Sequence, residues 1–202
     1  MRVAAYCGQD WAKAMRASTG VRPATCPPRE AGSKVLYEFL KKAATGDVLA
    51  LNLHGYQGQA SYYGQADGLV CLTALTVDDI IPHDWYRVTV FLEICFSAAD
   101  DPANQVIPQM FLERGARAVI GSMTEAYGRV RGTLPLPGFD GEADRLLNFW
   151  LYFMRRSRNP RLALTLAKRC LRIWSWPLDE EDEKTLKSFT IIRRSKDETE
   201  MV

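Results

Sequence analysis

In the stretch LALNLHGYQG, Leu49 to Gly58, an apolar run breaks abruptly into histidine and glycine. With the two residues before it, the run reads DVLALNL (47–53), near-continuously apolar and of the length expected for a strand covered on both faces. His54 is one of only two histidines in 202 residues. Gly55, which follows it, has no Cβ to screen its backbone N–H. A proton acceptor beside an open amide is what a reaction at a carbonyl carbon uses: a general base and an oxyanion donor.

Upstream of this stretch, RVAAYC (2–7) reads as a first strand ending at Gly8. Residues 16–32, with Gly20, Pro23, Pro27, Pro28 and Gly32, read as a loop. Ser33 then caps a helix with Leu36, Phe39, Leu40 and Ala43 on one face, closed by Gly46. Downstream, Ala60–Thr76 reads as a hairpin with Leu69, Val70, Cys71 and Leu72 in its second arm. LTVDDII (75–81) reads as a helical turn capped by Thr76, and RVTVFLEIC (87–95) as a second buried strand ending at Cys95. Pro102–Arg114 holds a helix whose first turn contains Pro108 and whose end is Gly115, and ARAVIGS (116–122) is a third apolar strand. An exposed loop, RVRGTLPLPGFDGE (129–142), leads to two helices over 143–172 that break at Asn159-Pro160. The acidic run DEEDE (179–183) and a short strand-like FTIIR (189–193) follow. This alternation predicts an α/β sandwich with a mainly parallel central sheet flanked by helices. The expectation is one domain, 1–202, with a core over about 1–175 and an acidic tail over 178–202. Ligands of such sheets bind beyond the carboxyl ends of the strands, where His54 and Cys95 both fall.

Composition narrows the classes. At 47% hydrophobic and 25% charged, with a net charge of +2, the chain reads as globular, and its overall charge points to neither nucleic acid nor a membrane. MRVAAYCGQD lacks the apolar core of a signal peptide, and LLNFWLYFM (146–154) is too short to span a bilayer. The cysteines (Cys7, Cys26, Cys71, Cys95 and Cys170) are odd in number, irregular in spacing and without a CxxC pair. They read as the reduced thiols of a cytoplasmic protein, not as a disulfide framework or a zinc site. Neither GxGxxG nor GxxxxGK[ST] follows a strand, and no cofactor or metal is expected.

A thiol and an imidazole on adjacent strand ends suffice for nucleophilic catalysis, because the thiolate attacks and the histidine manages its proton. LNLHGYQG followed 41 positions after the histidine by VFLEICFSA resembles the histidine and cysteine signatures of caspase-like (clan CD) cysteine peptidases. YYGQADGLVCLTALTVDDI resembles the hairpin and short helix that separate the two signatures in CHAT-type and metacaspase-like members. FLERGARAVIGSMTEA resembles their next helix and strand, so the likeness covers about residues 34–126. It implies a caspase-like three-layer sandwich and cysteine endopeptidase activity on protein or peptide substrates through a thioacyl-enzyme. Cys95 would be the nucleophile, His54 the base and acid, and the Gly55 and Cys95 amides the oxyanion donors. One departure is Cys95-Phe96-Ser97-Ala98, where metacaspases and several relatives have Cys-x-Ser-Gly.

The family also places the residue two before the cysteine in the pocket for the side chain N-terminal to the cut. Here that residue is Glu93, on the same strand face as Cys95, which implies cleavage after Arg or Lys. The plain alternative pairs Glu93 with a core arginine such as Arg117. Asp10 matches a second pocket position in relatives, or is a solvated acid or cap. Ser122, Met123 and Thr124 match the segment that pairs with substrate backbone, or simply lead out of their strand. Arg129 and Arg131, in the exposed loop, are candidate processing sites for the chain itself or for an activating peptidase. Asp78 and Asp79 read as capping or solvated acids, and His83 as a surface-loop residue. The stretch 145–172 carries eight basic residues and no acid. It reads as a solvated face, or as a dock for DEEDE, for an acidic regulatory partner or for nucleic acid. The rival to a peptidase is a catalytically inactive caspase-like module that acts by interaction.

Overall fold

The computed structural model describes residues 1–126, 142–174, 178 and 180–194. In chain order the elements are β1 (Val3–Gly8), α1 (Ala12–Thr19), β2 (Ala24–Cys26), α2 (Lys34–Ala43), β3 (Val48–Asn52), β4 (Tyr62–Ala66), β5 (Leu69–Leu75) and α3 (Val77–Ile80). They continue as β6 (Thr89–Glu93), α4 (Pro102–Glu113), β7 (Ala118–Ser122), α5 (Glu142–Ser157), α6 (Pro160–Trp174), α7 (Glu180–Ser188) and β8 (Phe189–Ile192). Six strands form one sheet in the order β2-β1-β3-β6-β7-β8. Its pairings are parallel except at the β8 edge, which runs antiparallel to β7. The β4–β5 hairpin is a separate antiparallel pair.

The apolar runs lack alternation because both sheet faces are covered. Leu49, Leu51, Val90 and Leu92 meet Leu36 and Leu40 of α2, Ile80 of α3 and Phe111 of α4. On the other face Val48, Ala50 and Phe91 meet Met15 of α1, Trp150 of α5, Ala167 of α6 and Leu186 of α7. Each such fully buried side chain contributes roughly 1.5–3 kcal/mol over leaving it exposed. The result is the three-layer sandwich with a mainly parallel sheet that the alternation of segments predicts.

Three local expectations are corrected. Residues 16–32 are not simply a loop, because α1 runs to Thr19 and β2 lies at 24–26. The buried face of α1 is Ala14, Met15, Ser18 and Thr19, and the two hydroxyls donate back to the Ala14 and Met15 carbonyls. A face of small and hydroxyl residues carries little apolar periodicity, although Gly20 at φ +74° is an ordinary helix stop. Pro108 lies inside α4, which begins at Pro102 with Asp101 accepting from the Ala103 and Asn104 amides. His83 is not on the surface. It is buried between Tyr37 and Trp85, and burial pulls its pKa down.

Other local signals appear as read. Ser33 accepts from the Leu36 amide, and Thr76 with Asp79 forms a reciprocal cap on α3. Asn159 caps α6 through the Arg161 and Leu162 amides. The core does not stop near residue 175, however: α7 and β8 pack into the molecule, with Leu186 and Phe189 buried. The acidic start of α7 meets the basic α6 where Glu183 accepts from Arg172 at 3.0 Å. Among the described residues no helix is long and apolar enough to cross a membrane.

Candidate active site

Strands β3 and β6 lie side by side with Asn52 opposite Glu93. His54 is two residues beyond the first and Cys95 two beyond the second, so both project from the carboxyl end of the sheet. Gly55 brings the two ends into contact. A Cβ added there would lie 2.2 Å from the Cys95 carbonyl oxygen and 2.6 Å from Ile94 Cγ2. Only a residue without a side chain lets the backbone after His54 lie against the backbone of Cys95. Among the described residues, the Gly55 amide donates no hydrogen bond, and the Cys95 amide is directed at its own Sγ.

His54 is pinned by its backbone. Its N–H donates to Tyr63 O at 2.8 Å and its carbonyl accepts from Tyr63 N at 2.9 Å, tying it to β4. Two residues along, on the same strand face, Gln65 Oε1 sits 2.5 Å from His54 Nε2. The ring also meets Trp11 edge-on, with centroids 4.7 Å apart. Asp10 holds this hairpin in place by accepting from the Asp67 and Gly68 amides at the turn, at 2.9 Å each. The Gly68 amide foremost, with the Asp67 amide, keeps the Asp10 carboxyl below its usual range.

Cys95 has a different set of neighbours. Its Sγ accepts from the Ala126 amide at 3.3 Å. Burial pushes the thiol up, and the charge of Glu125 adds to that against the opposing Ala126 bond. Phe96 takes a left-handed φ of +57°, Ser97 Oγ bonds Ile94 O, and Ala98 N donates to Ser122 O. Ala98 has no positive φ, so the alanine at the position where relatives carry glycine needs no special backbone.

Ser122 and Thr124 are brought to this loop. Ser122 N donates to Ser97 Oγ, and the Thr124 carbonyl accepts from Phe96 N at 3.0 Å. Met123 N donates to Ser188 O, and the Met123 side chain is exposed. Ser122 and Thr124 therefore clamp the loop after Cys95 in the conformation described. Arg129 and Arg131 lie outside the described residues.

Glu93 is 4% exposed, and its carboxyl lies against that of Asp144, close enough for the two to share a proton. Burial first, and the neighbouring Asp144 carboxyl of α5 second, raise its pKa well above the ordinary value. Arg117 is not its partner, since that guanidinium donates to Arg158 O. Cys7 and Asn52 stand in register beside Glu93 across the sheet, and burial followed by Glu93 pushes the Cys7 thiol up to about 12. A buried polar row thus lies directly behind the His54–Cys95 end.

Sequence reasoning passed over Gln65, Asp144 and Asn104. Asn104 accepts from Gly58 N and donates to Tyr56 O, fixing the loop after His54 onto α4. No local pattern marks these three, because each acts across 11 to 51 residues of chain. Among the described residues no group of three or more His, Cys, Asp or Glu is placed to hold a metal ion.

No family model matches the chain, and no curated protein matches it. Among solved structures, it is similar to a complex of the Porphyromonas gingivalis RgpB pro- and mature domains. The TM-score is 0.51 at 9% identity, covering 96% of this chain and 47% of that one. That likeness concerns the fold. A structure described as that of a protease also matches, with TM-score 0.49 and 14% identity over 94% of this chain and 46% of the other. The chain spans less than half the length of either.

Proposed function

We propose that this domain is a cysteine peptidase with Cys95 as nucleophile and His54 as general base and then acid. The observation that supports the reading is the close approach of the Gly55 and Cys95 backbones, at the carboxyl ends of the two neighbouring strands that lead to His54 and to the thiol. In the reaction Cys95 Sγ gives its proton to His54 and bonds to the scissile carbonyl carbon. The Gly55 and Cys95 N–H groups hold the oxyanion. His54 then protonates the departing amine, leaving a thioacyl-enzyme that water hydrolyses with His54 again as base. The conformation described is a resting one, with the imidazole on Gln65 and the thiol held neutral by burial. Turnover requires His54 to exchange Gln65 for Cys95.

Specificity for Arg or Lys rests on Glu93 and Asp144. Two buried carboxyls side by side are balanced either by protonation or by a cation, and a substrate guanidinium supplies the cation with its own donors. The raised Cys95 pKa favours a second reading, an inactive caspase-like interaction module.

Intact mass after incubation with irreversible cysteine-directed peptide probes separates the two. We expect one adduct from an Arg-bearing probe, lost in Cys95→Ala and His54→Ala, and none from an Asp-bearing probe. An adduct from the Asp probe alone would remove the role given to Glu93. Labelling of Cys95 no faster than of Cys170 by any probe would favour the inactive module.

A further inference from the structure

A cavity of about 820 Å³ lies at the opposite, amino-terminal end of the sheet from His54 and Cys95. It is lined by Arg2, Lys13, Arg16, Arg22, Arg29 and Lys42, and by no acidic residue. Among the described residues none of these six side chains has a carboxylate oxygen within 4 Å, and the one carboxyl beside them, that of Asp47, accepts from the Arg2 backbone amide. Arg29 keeps its buried Nε without an acceptor. Six cations at one place with a single carboxyl, Asp47, beside them, in a chain whose net charge is +2, make a local field that the overall charge conceals.

The floor of the cavity is a sheet edge. β1 is paired along its whole length with β3, but on its other side β2 begins only opposite Tyr6. Pro23 immediately precedes β2 and has no N–H to extend the ladder. The outer edge of Val3–Ala5 is therefore unpaired, and all three residues line the cavity. An open parallel edge of three residues is a template about 10 Å long for another strand.

We propose that this edge binds an extended acidic peptide segment of a partner protein by strand addition. A strand laid along Val3–Ala5 would project alternate side chains toward the two helix layers. Lys13 and Arg16 of α1 wait on one side and Lys42 of α2 on the other, so carboxylates at successive positions of the peptide all meet cations. Arg2, Arg22 and Arg29 close the two ends. The main-chain bonds supply register and the charges supply selectivity and speed of encounter. This site is separate from the proposed catalytic one and does not depend on it.

The test is fluorescence anisotropy with a fluorescein-labelled eight-residue peptide of Glu and Asp around a central Val. Its counterpart, N-methylated at alternate amides, keeps the charge and loses the donors. The expected results are saturable binding weakened at least tenfold by N-methylation and at least tenfold by Arg16→Glu with Arg22→Glu. Lys42→Glu should weaken it independently, and Cys95→Ala should leave it unchanged. All three cations are exposed, and far-UV circular dichroism checks that each variant folds. Absence of saturable binding at 50 mM salt would overturn the proposal. So would equal binding of the N-methylated peptide with full displacement by inorganic tripolyphosphate, which would mean a small-anion cavity instead. Charge reversal without effect would place the binding elsewhere and overturn it as well.

Discussion

Replacing Gly55 by alanine tests the contact that assembles the candidate site. The new Cβ would start 2.2 Å from the Cys95 carbonyl oxygen and 2.6 Å from Ile94 Cγ2, whereas ordinary contact begins near 3.4 Å. The two strand ends must therefore separate by about 1 Å, because the obstructing atom is backbone and cannot rotate away. Overpacking of this kind costs about 1–3 kcal/mol. At about 2–4 °C per kcal/mol for a chain of this size, the midpoint of thermal unfolding should fall by about 2–12 °C. A displacement of about 1 Å between the strand ends carrying His54 and Cys95 should also, on the proposed mechanism, slow covalent labelling of Cys95 by an Arg-bearing probe about a hundredfold. Gly20→Ala is the control, since φ +74° strains it by about 1–2 kcal/mol while no atom lies within 4 Å. It should melt lower yet label at the parent rate. A Gly55→Ala protein that melts within 1 °C of the parent and labels within twofold would refute the argument that this contact sets the site.

Two further outcomes follow from the neighbours of the dyad. Gln65→Ala frees His54 Nε2 and should raise the Cys95 labelling rate several-fold with little change in melting, because Gln65 lies at the half-buried rim. An unchanged rate would show that the glutamine does not hold the imidazole away. Glu93→Gln should stabilise the fold increasingly as pH rises. Burial and Asp144 raise the folded-state pKa of Glu93, so its proton is held more tightly in the folded than in the unfolded chain. The parent then loses stability from about pH 4.5 upward until the folded value is passed, whereas the glutamine variant has no proton to lose. The gap in melting temperature should widen between pH 5 and pH 8; a constant gap would show that Glu93 ionises without cost.

The strands ending at His54 and Cys95 were legible because burial on both faces leaves an unbroken apolar run. The caps at Ser33 and Thr76 were legible because capping is chemistry within three residues. Helix α1 was not, since Met15 is the one large apolar side chain on a buried face otherwise built from Ala14, Ser18 and Thr19. Glu93 could be placed on the face of Cys95 by strand alternation, but nothing local said that its neighbour would be another carboxyl from α5.

By itself the sequence determined the central apolar strands and most of the helices, their layering into an α/β sandwich, and the two residue types a thiol chemistry needs at strand ends. Those depend on periodicity, capping and the pleat, which act over a few residues. Tertiary structure alone decided that β3 and β6 are neighbours, that Gly55 touches Cys95, that Gln65 rather than Cys95 meets His54, and that β1 keeps an open edge among six cations. Such facts depend on strand order and register between distant segments, and the free energy that selects them is spread over the whole core.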